Sequence, residues 1–217
     1  MRITKIESQK KNPARKNLYA DGEFLIGVSA ETLIRFGIRT GDELDEEKLK
    51  ALQATEELQG AKSVAFRFLA RRQRTEKEIR DKLREKEFGD EEIGKTIETL
   101  RGLGFLNDRE FAGSYIRHQL TLRPKGKILL KQKLLMLGVA KDLVDAALEE
   151  AFQETGQEES ALEAAQKFLK KSQKSNDDPR KVKQKLAAFL MRRGFTWDVV
   201  STVTKKIMAP ETPEEEP

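Results

Sequence analysis

The stretch from Arg117 to Lys141 carries Arg117, Arg123, Lys125, Lys127, Lys131, Lys133 and Lys141, and it contains no aspartate or glutamate. Cations at that density, without counter-charges, neutralise phosphates and release condensed counterions. That is the chemistry of nucleic-acid backbone binding, and it makes affinity steeply salt-dependent. A second cluster runs through Lys167, Lys170, Lys171 and Lys174, then Arg180, Lys181, Lys183 and Lys185. Its only acids, Asp177 and Asp178, read as cap and turn residues. A third, Arg67, Arg71, Arg72, Arg74 and Lys77, leads into a helix start. Guanidinium groups pair bidentately with phosphate or carboxylate, so these arginines suit DNA and an acidic protein surface equally. The binding candidates are Arg67, Arg71, Arg72, Arg74, Lys77, Arg117, Arg123, Lys125, Lys127, Lys131, Lys133, Lys170, Lys171, Lys174, Lys181 and Lys185.

Catalytic chemistry finds little to work with. His118 is the single histidine and sits among basic residues, as a surface group does. Gly126-Lys127 lacks the upstream glycine of a phosphate-binding loop, which argues against nucleotide hydrolysis. Asp90, Glu91 and Glu92 are placed to favour a helix start and need no metal to explain them. Without cysteine there are no thiolate zinc sites, disulfides or cysteine nucleophiles. The reading is of a non-enzymatic protein with no cofactor, no metal and no catalytic residue. Tyr115 and Trp197 fall at helical spacing and read as core, so base-specific readout is not expected.

The elements that must position these cations follow from a recurring register. Leu83, Leu134 and Leu190 each precede by five residues an apolar residue that closes a helix, namely Phe88, Val139 and Phe195; five further on, Ile93, Val144 and Val200 open the next helix. A shared register at roughly 50 residues is the mark of stacked supersecondary repeats. Thr75 with Glu78 forms a capping box, Asn107 with Glu110 repeats the logic, Asp90 caps the helix of Ile93 and Ile97, and the third unit starts at Ser160 with Glu163. On the helix of Leu130 and Leu134, the lysines Lys127, Lys131 and Lys133 lie off the apolar stripe. If the units stack side by side, the three cationic clusters line one concave surface.

The first 40 or so residues differ. Asp21-Gly22 between Leu18-Tyr19-Ala20 and Glu23-Phe24-Leu25-Ile26 accepts the positive dihedrals of a hairpin turn, and Ile3 to Ile6 supplies a third strand. Ser29 and Asp45 cap the helices that follow. The fold class expected is mainly α: three tandem three-helix repeats in an elongated, curved array, with a small N-terminal β-hairpin or β-sheet region. The segments are 1–58 for the β region with short helices, 61–106, 107–152 and 159–208 for the repeats, and 209–217 for a disordered tail with four glutamates and three prolines.

Bulk properties agree. Of 217 residues 37% are hydrophobic and 36% charged, with 42 basic against 37 acidic side chains. That hydrophobic share is low for one compact globule. No apolar run approaches the roughly 20 residues of a membrane span, and no export signal is evident, so a cytoplasmic protein is expected.

The sequence resembles the RecX family of bacterial recombinase regulators through Arg74-Thr75-Glu76, Lys82-Leu83, Lys86-Glu87-Phe88, Phe105-Leu106-Asn107-Asp108, Phe111-Ala112 and Gly138-Val139. The family commonly has Lys-Gly-Phe and Tyr-Leu-Asp-Asp where this chain has Lys86-Glu87-Phe88 and Phe105-Leu106-Asn107-Asp108. The resemblance implies three tandem three-helix repeats and a modulator, usually an inhibitor, of the RecA recombinase in DNA repair and the SOS response. It implies a monomer that binds RecA and lies in the groove of the RecA–DNA filament, touching protein together with single- or double-stranded DNA. Two rivals remain at this level: a general DNA-binding protein acting without a recombinase, and a repeat scaffold for another acidic protein.

Overall fold

The structure is a computed structural model that describes residues 1–154, 156–172 and 178–208. Of the turn expected over Asn176-Asp177-Asp178-Pro179, the first two residues lie outside them, as does the acidic tail. Three antiparallel strands open the chain, β1 (Ile3–Gln9), β2 (Asn12–Ala20) and β3 (Glu23–Ser29), in the order β1-β2-β3. Asp21 (φ 51°) and Gly22 (φ 92°) close the β2–β3 hairpin, as an Asp-Gly pair should. Ten helices follow among the described residues: α1 (Ala30–Phe36), α2 (Glu46–Leu69), α3 (Glu76–Glu85), α4 (Asp90–Gly102), α5 (Asp108–Leu122), α6 (Lys127–Met136), α7 (Lys141–Glu154), α8 (Gln157–Ser172), α9 (Pro179–Arg192) and α10 (Trp197–Met208). The molecule is therefore mainly α with a small N-terminal sheet.

Two compact units emerge. The first holds Met1–Gln73 with Ile79–Leu106; the second holds Arg74–Glu78 with the described residues from Asn107 on. In the first, Ile3, Leu18, Val28, Ile38, Leu44 and Leu52 make a core beneath the sheet. The buried Glu56 carboxylate of α2 accepts the Ser29 backbone N–H at 2.8 Å and pairs with Arg15 at 3.1 Å, tying the sheet to the helix. A second core joins Ala61 and Ala65 of α2 with Ile79 and Leu83 of α3 and Ile93, Ile97 and Leu100 of α4. α2 runs unbroken through Gln59 and Gly60. Gly60 is no breaker here, because the Phe88 ring packs 3.3 Å from where a side chain would begin. In the second unit α5, α6 and α7 enclose a core around Ile116, Leu130, Leu134 and Val144, while α8, α9 and α10 enclose one around Ala165, Leu186, Leu190 and Val200.

The recurring leucine has a backbone reason. Phe88, Val139 and Phe195 each donate N–H to the carbonyl of the leucine five residues earlier, Leu83, Leu134 and Leu190, at 3.2, 3.1 and 3.3 Å. This is the six-to-one bond of a Schellman ending, which brings an apolar pair together and requires a left-handed residue between them. That residue is Gly138 (φ 88°) and Gly194 (φ 85°) in two units, but Glu87 (φ 62°) in the first. A left-handed L-residue carries a penalty of about 1–2 kcal/mol that glycine escapes. Glu87 is exposed. Glu87→Gly is therefore expected to raise the stability of the first unit by about 1 kcal/mol, read as a higher urea midpoint; an unchanged or lower midpoint would refute the strain argument.

The starts of the helices follow the sequence in part. Glu78 N–H donates to Thr75 Oγ1 and Thr75 N–H to Glu78 Oε2, both at 3.2 Å, completing the capping box; Asn107 Oδ1 accepts from Glu110 N–H at 3.1 Å. Two expectations are corrected. Asp90 is the first helical residue and Gly89 the cap, with no side-chain hydrogen bond, so the aspartate acts through its charge in the first turn. Ser160 is no cap either. It is buried inside α8, which begins at Gln157, and its N–H bonds the Gly156 carbonyl in ordinary helical fashion.

Helix ends meet helix starts within the second unit, twice and at equivalent places. Thr75 Oγ1 donates to the Leu137 carbonyl at 2.6 Å, and Lys77 Nζ to the Met136 carbonyl at 3.2 Å. One repeat later, Gly126 N–H donates to the Arg193 carbonyl at 2.9 Å and Ile128 N–H to that of Gly194 at 3.2 Å. Each contact satisfies orphan carbonyls at one helix end with donors at the start of another.

Candidate functional site

The second of these junctions builds a cationic site. Pro124 is buried and Gly126 passes backbone to backbone against Gly194, where an added Cβ would come closer than 3.0 Å to the Gly194 carbonyl. That close approach brings the α5–α6 connection, with Arg123 and Lys125, beside the end of α9 and Arg193. The Arg193 guanidinium lies over the Phe189 ring at 4.9 Å and donates to the Pro124 carbonyl at 3.4 Å; Phe189 stacks in turn on Phe168 at 4.8 Å. Arg123, Arg193, Lys167 and Lys170 surround a cavity of about 570 Å³ whose apolar lining includes Leu122, Phe168 and Phe189.

Electrostatics mark this site out. Lys125 is half-buried, and its ammonium is pushed below the usual lysine range by burial first, then by Arg193, Lys133 and Arg123. Burial and then Arg123 act on Arg193 in the same direction. Among the described residues no carboxylate pairs with Arg123, Lys125, Lys133 or Arg193. Folding has thus gathered like charges that repel one another, and a polyanion would relieve that repulsion. Lys125 binds its proton more weakly folded than unfolded, so its contribution to stability grows as pH rises through its lowered value. Lys125→Gln is expected to leave the thermal midpoint at pH 7 unchanged or higher while weakening polyanion binding severalfold. Calorimetry beside a binding titration checks this, and a clear loss of stability would contradict it.

The other candidates are placed differently. Lys127 Nζ sits 5.3 Å over the Phe152 ring, and Lys131 pairs with Asp145, so both face α7 and leave Lys133 exposed. Arg74 pairs with Glu78 at 3.1 Å, and Lys77 caps the Met136 carbonyl. Arg117 lines a separate cleft together with Arg109 and the acids Glu110 and Glu150, where charges balance. Arg67, Arg71 and Arg72 are exposed in the first unit, Arg67 donating to the Ser63 carbonyl and Arg72 to that of Gln73. Lys181 and Lys185 are exposed on α9. Lys174 and the side chain of Lys171 lie outside the described residues. Trp197, expected in the core, is 67% exposed at the start of α10, whereas Tyr115 packs against the α5–α7 core. His118 is exposed. Arg193 is the residue the sequence reading missed. Its signal was a cation in the register position where the preceding repeat has Leu137.

Tandem three-helix units define a helical-repeat protein, here with a cationic junction that no carboxylate among the described residues compensates. The comparisons with known proteins make the class specific. Residues 1–45 match the description "Regulatory protein RecX N-terminal domain", and residues 61–100, 107–148 and 156–204 match the first, second and third three-helix domains of RecX. The chain is 34% identical over 205 residues to regulatory protein RecX of Clostridium botulinum strain Eklund 17B, covering 94% of this chain and 95% of that one. It is 33% identical to the same-named protein of Bacillus subtilis strain 168, covering 94% and 76%. Two crystal structures resemble it. One is titled regulatory protein RecX, with TM-score 0.70 and 30% identity over 94% of this chain and 98% of that one. The other is RecX from Lactobacillus salivarius, with TM-score 0.62 and 26% identity over 70% and 97%. The chain belongs to the RecX family of regulatory proteins. No helix of the described residues is long and apolar enough to cross a membrane.

Proposed function

We propose that this protein is a non-enzymatic regulator of the RecA recombinase. It binds RecA and the RecA–DNA filament, occupies the filament groove as a monomer, and inhibits recombinase activity in the cytoplasm. The observation that carries this reading is the gathering of Arg123, Lys125, Lys133 and Arg193 with no partnering carboxylate among the described residues. A nucleoprotein filament presents phosphates in a periodic array, and a site whose cations repel one another binds such an array by differential affinity for the bound state. Exposed Arg67, Arg71, Arg72, Lys181 and Lys185 supply further weak contacts, which add through effective concentration once the first is made. Lys170 adds charge beside Arg123 and Arg193, Arg117, Lys127 and Lys131 lie apart from that cluster, and Arg74 and Lys77 act by holding the first turn of α3.

The expected result is that the purified protein inhibits RecA-dependent ATP hydrolysis or strand exchange at substoichiometric ratios to RecA. No effect at any ratio would overturn the proposal. The same charges also suit DNA binding without a recombinase, a reading that requires equal affinity for naked and RecA-coated strands.

A further inference from the structure

The cavity beside Arg193 is larger and more apolar than phosphate binding requires. Phosphate contacts need only exposed donors, and Arg123, Lys167 and Lys170 supply those around it. Below them lies a wall made by Leu122, Phe168 and Phe189. Leu122, at the end of α5, is 60% exposed and lines the cavity together with the Phe168–Phe189 pair, so the apolar wall is open to a ligand from solvent. The wall is already assembled: Phe189 is held between the Phe168 ring, at 4.8 Å with an interplanar angle of 29°, and the Arg193 guanidinium, at 4.9 Å. At about 570 Å³ the cavity falls within the size range that encloses small organic groups.

We propose that this cavity is a binding site for one unpaired nucleotide of a single strand. The base lies against Leu122 and Phe168, and its phosphates lie on Arg123, Arg193 and Lys170. The proposal rests on the polyanion reading above and adds a base-dependent component to it. A base in a duplex is paired and stacked on both sides and cannot enter such a cavity without being extruded, whereas an unpaired base enters at little cost. Stacking or apolar burial of a base strengthens binding by about fivefold or more and tolerates any sequence, because every base has an apolar face. The site therefore distinguishes a strand with bases from one without, while leaving sequence unread.

The test measures the affinity of the full chain for labelled oligothymidylate and for an abasic strand of the same length, which has the same phosphates. Oligothymidylate is expected to bind at least roughly fivefold more tightly. Leu122→Ser, at an exposed position, is expected to reduce that ratio, and Phe168→Leu, which keeps apolar volume for packing, to bring it close to unity. Circular dichroism establishes that each variant is folded. Equal affinity of the wild type for the two strands would overturn the nucleotide site while leaving the cationic reading intact. A full ratio retained in both variants would overturn it as well. Loss of binding to both strands in the wild type would overturn the site and the polyanion reading together. Free thymidine monophosphate that bound more tightly than the oligonucleotide would overturn the assignment to a strand.

Discussion

Replacing Gly194 with alanine is expected to destabilise the second unit by about 2–5 kcal/mol. Two effects add. Gly194 has φ of 85°, so any side chain there carries the left-handed penalty of about 1–2 kcal/mol. Its Cβ would also meet the Leu129 backbone nitrogen and Cβ closer than 3.0 Å, and backbone cannot swing aside as a flexible side chain can. Overpacking of that kind adds roughly 1–3 kcal/mol. Gly104 is the control: its φ is 74°, but nothing lies within 4 Å of an added Cβ. Gly104→Ala should therefore show the conformational penalty alone, about 1–2 kcal/mol. Urea denaturation followed by circular dichroism separates the two. Equal losses would mean that the contact between Gly194 and the start of α6 does not hold the site together. Because that contact sets Arg193 beside Arg123 and Lys125, Gly194→Ala should also weaken filament binding at temperatures where most of the chain is folded.

The second large effect is on binding. Each phosphate contact on a single strand contributes about 0.7 to the slope of log affinity against log salt. Converting Arg123, Lys125 and Lys133 together to glutamine removes three such contacts. The slope should fall by about 2, and affinity at 0.15 M salt by roughly 50-fold. Stability should not fall, because no ion pair is broken and mutual repulsion is relieved. Converting Lys127 and Lys131 instead should change stability more than binding, since these side chains contact Phe152 and Asp145. A salt titration by fluorescence anisotropy reads both quantities.

Much of the fold was legible in the sequence because its rules are local. A Schellman ending needs an apolar residue at either side of a left-handed one, so Leu134-Gly138-Val139 and Leu190-Gly194-Phe195 announce both the helix end and the repeat register. The capping box at Thr75 and Glu78 and the Asp-Gly hairpin are equally short-range. Asp90 and Ser160 misled because a capping residue type is also a good first-turn or small interior residue, and only the packing of the preceding segment decides which. Trp197 misled because helical spacing assigns a stripe without saying which stripe is covered. The site was legible as charge and illegible as geometry. Lys127 and Lys131 share a face, as expected of residues four apart, but the face is turned toward α7. Arg193 became part of the cluster through the approach of Gly126 to Gly194, a contact between residues 68 positions apart in number (194 less 126) that no local pattern encodes.

We propose that this cationic site serves a RecA nucleoprotein filament. Cosedimentation tests it most directly, with the protein mixed at physiological salt with RecA-coated single-stranded DNA, with the same DNA bare, and with RecA alone. The wild type is expected to sediment with the coated strand at concentrations where bare DNA retains at least about tenfold less, and the Arg123, Lys125 and Lys133 glutamine variant to stay in the supernatant. Equal retention on bare and coated strands, or a variant that sediments as the wild type does, would contradict it.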